Sequence, residues 1–284
     1  MSFKIQGPLE DFNSGLKILV FGGTGGLGRA ISRTLAASGA NVTVVGQTFR
    51  DEGTENISFV KADLSSIEDS IKVAQSLDVS GTSVLLFTTG IFASKQKEVT
   101  KEGLEKDLAV SYLNRLVIID YLAPKLESHS NFKPRVFIMG YPGIGQLGTI
   151  DDLNQEKSYQ FYKAHMNTVA GNEALVLYGK KQFPNANFYG LNPGLVKTSI
   201  RSNLFGNGWV GSAIEYLISW LTPTADDYAK TISPVFVSPI LDDHNGSLID
   251  RKGAQLNASK GLDEEYALRF IEASKELLKS KGLI

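Results

Sequence analysis

Leu16-Lys17-Ile18-Leu19-Val20-Phe21, followed by Gly22-Gly23-Thr24-Gly25-Gly26-Leu27-Gly28-Arg29-Ala30-Ile31, is the stretch that decides how the chain folds. The apolar run predicts a strand covered on both faces, and Leu27, Ala30, Ile31 and Leu35 recur at the spacing of a helix's inner face. Between them Gly23, Gly25 and Gly28 satisfy G-x-G-x-x-G in the strand-turn-helix setting that gives the motif its meaning. Glycines let the backbone turn tightly and approach a pyrophosphate, whose charge is stabilised by the free N–H groups and positive end of the following helix. A glycine-rich turn without a ligand fits the same letters, but strand and helix on either side favour the dinucleotide reading.

The alternation continues along the chain. Asn41 to Val45, Ile57 to Val60, Ser83 to Thr88, Arg135 to Met139, Asn187 to Leu191 and Gly246 to Asp250 read as further strands. Helices are expected from Leu27 to Ala37, Ser66 to Leu77, Lys101 to Leu126, Tyr159 to Lys181 and Asp263 to Lys279. On the last, Tyr266, Phe270, Ala273 and Leu277 form an apolar stripe, with Ile271 and Leu278 beside it. No linker or repeat divides the series, so the expectation is one α/β domain over residues 1–284. It is a Rossmann fold: a doubly wound parallel sheet of about seven strands with helices on both faces.

Composition narrows the function classes. With 284 residues, 42% hydrophobic and 21% charged, the chain can bury a sizeable core. Its 29 basic and 30 acidic residues give a net charge of -1 and no like-charge block, so nothing points to nucleic acid or an anionic membrane. Cysteine is absent, which excludes disulfides and thiolate chemistry, and His129, His165 and His244 are too scattered to suggest a metal site. The N-terminal residues lack the apolar core of a signal peptide, and "AIEYLISWL" is too short to span a bilayer, so a cytoplasmic protein is expected.

In "SYQFYKAH", Tyr159 and Lys163 stand four apart, on one face if the segment is helical. An ammonium beside a phenol lowers its pKa, which suits Tyr159 as proton donor in reducing a carbonyl with a nicotinamide. Aromatic and charged pairs also decorate many helices. Tyr162, next to Lys163 and on another face, reads as packing.

Gly22, Gly26 and Gly28 also match the T-G-x-x-x-G-x-G loop of the short-chain dehydrogenase/reductase family, with Phe21 in the usual threonine position. With Tyr159-x-x-x-Lys163, "FVKADLSS" and "LNPGLVKTSI", the chain resembles that family over nearly its whole length, and "VVGQTFRD" and "HMNTVA" resemble its fungal aldehyde and carbonyl reductases. The resemblance implies a reductase of aldehydes or ketones in which Lys163 also binds the nicotinamide ribose. It implies a cofactor site drawn from Gly22, Thr24, Gly25, Gly26, Leu27, Gly28, Arg29, Gln47, Arg50, Asp63, Leu64, Thr88, Thr89, Gly90, Pro193, Gly194, Val196 and Thr198. The second strand ends Gly46-Gln47-Thr48-Phe49-Arg50 with no acid at its tip, and Arg29 and Arg50 together would clamp a 2′-phosphate. NADP(H) is therefore favoured, with NAD(H) open because Asp51 and Glu52 are close. Asp63 would approach adenine, or cap the helix that follows it.

Three family positions depart from the pattern. The fifth strand leads to Gly140 and Tyr141 where a serine is usual, and Tyr141 or Thr149 would have to supply a replacement hydroxyl. The active-site asparagine aligns with Ser111, Asn114 being one turn further on, and the fourth strand ends "LLFTTG". Residues 199–223, rich in apolar side chains between glycines, are expected to form a lid over a small or apolar carbonyl substrate. A homo-oligomer is compatible with the chain. The missing serine and asparagine keep a second class open: a dinucleotide-binding regulatory protein with little catalysis.

Overall fold

The computed structural model describes residues 2–7, 15–129, 132–194 and 223–284. They form one sheet with the strand order β3-β2-β1-β4-β5-β6-β7-β8. The strands are β1 (Lys17–Phe21), β2 (Asn41–Gly46), β3 (Ile57–Lys61), β4 (Thr82–Phe87), β5 (Arg135–Met139), β6 (Asn187–Asn192), β7 (Leu248–Asp250) and β8 (Gln255–Leu256). All neighbours are parallel except β7 and β8, so the sheet has eight strands and one antiparallel edge where about seven parallel strands are expected. The extra strand is only two residues long and carries no apolar run.

The central strands β1, β4, β5 and β6 are buried almost end to end because both faces are covered, whereas the edge strand β3 is only partly buried. Leu19, Phe21, Leu85, Phe87, Val136 and Ile138 point to one core. Ile18, Val20, Val84, Leu86, Phe137 and Met139 point to the other, as the two-residue period of a strand requires. The first core is roofed by α2 (Ile67–Ser76), α4 (Asn114–Leu122), α5 (Phe161–Gln182) and α7 (Glu264–Ser280), and the second by α1 (Gly26–Ala37) and α6 (Ala225–Ile232). Helix α6 has no counterpart among the expected helices; a capping box, Thr224 with Asp227, starts it. Helix α7 packs on α5 through Ala267, Phe270, Ile271 and Leu278, whereas Tyr266, Ala273 and Leu277 of the expected stripe are only partly buried. Among the described residues no helix is long and apolar enough to cross a membrane.

Two helices differ from expectation in ways that reach the site. The segment expected to run from Lys101 to Leu126 begins as α3 (Lys106–Leu108), where the Glu105 carboxylate accepts the Leu108 N–H at 2.7 Å. It widens into a π-helical turn at Ala109–Leu113, continues as α4 and ends in a tighter turn containing Pro124, which has no N–H to offer. Helix α5 starts at Phe161 and not at Tyr159, because Gln160 is extended (φ -134, ψ 113). Tyr159 and Lys163 therefore do not share a helix face.

Candidate functional site

Strand β1 is flanked by β2 and β4, so the chain reverses direction of travel across the sheet at the β1/β4 boundary, where α/β sheets open a crevice beyond their carboxyl ends. The glycine loop occupies that boundary. Gly22 has φ +90, and a Cβ there would stand 2.5 Å from the Thr89 nitrogen; one on Gly28 would collide with Thr88 Oγ1 and the Gly22 carbonyl. The Thr88 and Thr89 N–H groups both donate to the Phe21 carbonyl, at 2.8 and 3.2 Å, which locks the end of β4 against the loop. Gly25 differs. Its backbone is extended, nothing of the protein lies within 4 Å of its missing Cβ, and as N-cap it offers no side chain to the first turn of α1, which also lacks acidic residues. The free N–H groups and dipole of α1 thus open onto a cradle lined by Gly25, Gly26 and Leu27, which fits a pyrophosphate.

At the tip of β2, Arg29 donates to Asp51 through Nε at 2.8 Å and Nη2 at 2.7 Å. That bond holds the Asp51 carboxyl below its usual range, against burial, with Arg33 and Arg50 adding to the effect. Arg29 is therefore tied to a carboxylate, whereas the sequence pattern has it waiting for a phosphate. Gln47 donates to Asp63 at 2.7 Å, and Asp63 also accepts the Ser65 N–H and hydroxyl. Burial raises the Asp63 pKa, but the bonds from Ser65 and Gln47 outweigh it and hold the carboxyl low. Ser66, not Asp63, caps α2. Leu64 is buried, and its carbonyl accepts from Asn114 Nδ2 at 2.9 Å, which turns Asn114 toward α2. Thr24 packs under Gly46, and at the end of β6 the Gly194 N–H, after Pro193, donates to Asn192 Oδ1 at 2.9 Å. Val196, Thr198 and the expected lid up to residue 222 lie outside the described residues.

On the β4/β5 side, Arg115 is buried and donates to the Met139 carbonyl at 2.5 Å, to Asn172 Oδ1 at 2.8 Å and to the Thr89 carbonyl. Burial pushes its pKa down to about 9. Ser111, in the π-helical turn, accepts the Ile91 N–H at 3.0 Å and donates to Asp107 at 2.5 Å, and Asp107 Oδ2 lies 2.7 Å from His165 Nδ1. Tyr159 donates its hydroxyl to the Ser94 carbonyl at 2.5 Å. Burial, then Glu105, Asp107 and Glu98, push its pKa up to about 12. Lys163 is exposed, as are Phe161 and Tyr162. Tyr141 stands half-buried in the loop after β5. Thr149 holds the Asn167 side chain through its N–H.

The structure thus gathers Gly22 to Arg29, Gln47, Asp63, Thr88 to Gly90 and Ser111 around one edge and leaves Tyr159 and Lys163 unpaired. Sequence reasoning passed over Asp107, Arg115, His165 and Asn172. A signal was present: Asp107, Ser111 and Arg115 recur every four residues along a run whose other members, Asn114 aside, are mostly apolar.

No family model matches the chain. The uncharacterized oxidoreductase YKL107W of Saccharomyces cerevisiae is 48% identical over 278 residues, which is 95% of this chain and 90% of that protein. Dehydrogenase/reductase SDR family member 12 of Bos taurus is 26% identical over 208 residues, 68% of this chain and 65% of that one. The chain belongs to the short-chain dehydrogenase/reductase family. It is accordingly an NAD(P)-dependent short-chain oxidoreductase. Among solved structures, a putative short chain dehydrogenase from Pseudomonas syringae shares the fold with a TM-score of 0.65 at 15% identity, covering 87% of this chain and 98% of that one.

Two predictions follow from this short-chain dehydrogenase geometry. Gly25→Ala is expected to leave the melting temperature unchanged and to weaken dinucleotide binding measured by fluorescence titration, whereas Gly28→Ala lowers the melting temperature through its collision with Thr88. Glu105 is raised from 4.5 to about 7, by burial first and by Asp107. The fold therefore favours its protonated form, and the stability this contributes is complete below about 4.5 and lost as pH rises through about 7. Glu105→Gln should flatten that decline in thermal melts run across the window, since the amide oxygen still accepts the Leu108 N–H.

Proposed function

We propose that this chain is a single dinucleotide-binding unit that reduces small aldehydes or ketones to alcohols with NAD(P)H. The observation that carries the reading is Gly25: the helix start it caps has no capping side chain and is open, where the neighbouring Gly22 and Gly28 are closed by the protein itself. A bound reduced dinucleotide supplies the hydride. The chain's own part is to hold the pyrophosphate on α1, position the carbonyl beyond β4, and provide a proton.

NADP(H) is the favoured cofactor. Arg29 is engaged by Asp51, but Arg33 and Arg50 also act on that carboxylate at longer range, so Arg50 is left as the cation nearest the β2 tip in sequence that no carboxylate holds among the described residues. A 2′-phosphate would be paired there by Arg50. The sequence pattern names Tyr159 as proton donor assisted by Lys163. With a pKa near 12, Tyr159 keeps its proton, as a donor must, but Lys163 is not among the groups that shift it. The bond from Tyr159 to Ser94 and the exposure of Lys163 favour the second reading, a dinucleotide-binding regulator with little turnover.

Purified protein is expected to oxidise NADPH in the presence of a panel of small aldehydes and ketones, followed by nicotinamide absorbance. Tight cofactor binding with no turnover on any carbonyl would decide for the regulator. Arg50→Ala is expected to weaken NADPH relative to NADH by about tenfold, the worth of one charge-assisted hydrogen bond; an unchanged ratio removes the case for NADP(H).

A further inference from the structure

Arg115 carries a charge that its immediate partners do not call for. It is 2% exposed, and its acceptors are all neutral: the Met139 carbonyl at 2.5 Å, Asn172 Oδ1 at 2.8 Å and the Thr89 carbonyl. Its Nε–H has no partner among the described residues. Arg135, equally buried, has Asp242 at 2.7 Å, whereas among the described residues no carboxylate forms an ion pair with Arg115. Asp107 acts on it only at longer range, its own oxygens being taken by Ser111 at 2.5 Å and His165 at 2.7 Å. Burial pushes the Arg115 pKa down to about 9, which leaves the group cationic at neutral pH. A buried cation without a counter-ion is costly, and a neutral donor could bond the same carbonyls and amide.

The charge lies directly under the crevice. A Cβ on Gly90 would stand 3.9 Å from Arg115 Nη2, and one on Gly140 would stand 3.1 Å from the Asn172 side chain that Arg115 holds. The guanidinium is therefore packed beneath the first residues beyond β4 and β5. Thr89 joins it to the glycine loop: the Thr89 carbonyl accepts from Arg115, while its N–H donates to the Phe21 carbonyl at 3.2 Å and lies 2.5 Å from where a Cβ on Gly22 would be. A dinucleotide lies across such a crevice, with its pyrophosphate on the first helix and its adenosine half toward the tip of β2. The nicotinamide half then extends the other way, over the ends of β4 and β5.

We propose that the unpaired charge of Arg115 biases this site toward the reduced dinucleotide. The inference rests on the dinucleotide-binding reading. An oxidised nicotinamide ring is a cation and a reduced one is neutral, so a fixed cation beneath the ring disfavours the first and leaves the second unaffected. The repulsion is strong because the guanidinium is out of water, where a charge is poorly screened. Arg115 touches neither dinucleotide nor carbonyl, and it does not share the proton role assigned to Tyr159. Its part is to set which form of the dinucleotide the strand ends hold. For a reductase the direction is apt: the oxidised product is held less tightly than the reduced form that replaces it.

Titration calorimetry with NADPH and with NADP+ tests this without any turnover. The wild type should bind NADPH about tenfold more tightly than NADP+, the size expected of one unit charge acting on another through protein. Arg115→Gln keeps N–H donors for the same carbonyls and removes the charge, so it should bring the two dissociation constants together. Arg115→Lys keeps the charge and should hold them apart. Asn172→Asp serves where the Arg115 variants fail to melt cooperatively: a carboxylate in place of the amide that now accepts from Nη1 at 2.8 Å neutralises the guanidinium in position, and it too should equalise the two forms. A purely structural Arg115 would change the affinity for both forms alike and leave their ratio where it was. Equal affinities in the wild type, or an unchanged ratio in Arg115→Gln or Asn172→Asp, overturns the proposal and leaves the dinucleotide reading standing. Failure of the wild type to bind either form, with NAD+ and NADH tried beside the phosphorylated pair, removes that reading and the proposal with it.

Discussion

A buried guanidinium without a carboxylate against it is the constraint around which the functional edge is organised. Arg115 donates to the Met139 carbonyl that ends β5, to the Thr89 carbonyl two residues past β4, and to Asn172, which in turn donates to the Ser111 carbonyl at 2.9 Å. Strand ends otherwise leave carbonyls without partners, and a buried one costs about 1–3 kcal/mol. Arg115 satisfies two strand ends and links both to α4 and α5 at once. Through Asn172 the same side chain also reaches the backbone of Ser111.

The opposite wall is set by contact and not by charge. Gly22 and Gly28 are closed by Thr88 and Thr89, so the loop between β1 and α1 is held at one distance from β4. The cradle beyond Gly25 stays open because the side chains that usually cap a helix start are missing. Closed and open glycines three residues apart divide the motif into a part that the fold requires and a part that it leaves open. The rigid half fixes the open half: the start of α1 keeps one relation to the end of β4, and so to Ser111.

Most of the architecture was legible in the sequence. The first six strands lie within a residue or so of where their apolar runs place them, because a strand covered on both faces must be apolar at every position. What was not legible has particular causes. The two-residue β8 has no pattern of its own, and α6 is announced only by Thr224 and Asp227. The π-helical turn at Ala109–Leu113 shifts the phase of a run that reads as one helix. The start of α5 depends on Gln160 being extended, while the Tyr159 hydroxyl bonds a carbonyl sixty-five residues earlier. A two-residue error at a helix start is small for the fold, yet it separates Tyr159 from Lys163.

By itself the sequence determined the layers, the parallel order that such alternation imposes and the glycine loop at the head of the first helix, because these follow from periodicity and from the volume of single residues. Family membership came with the same motifs. Tertiary structure alone decided which polar side chains meet. Arg29 was expected to await a phosphate and is bound to Asp51, 22 residues on. Asp107 found its partner in His165, 58 residues away, when α3 and α5 packed side by side. A buried charge takes whatever partner the packing brings within hydrogen-bond reach, and that distance is a property of the folded chain, not of the spacing along it.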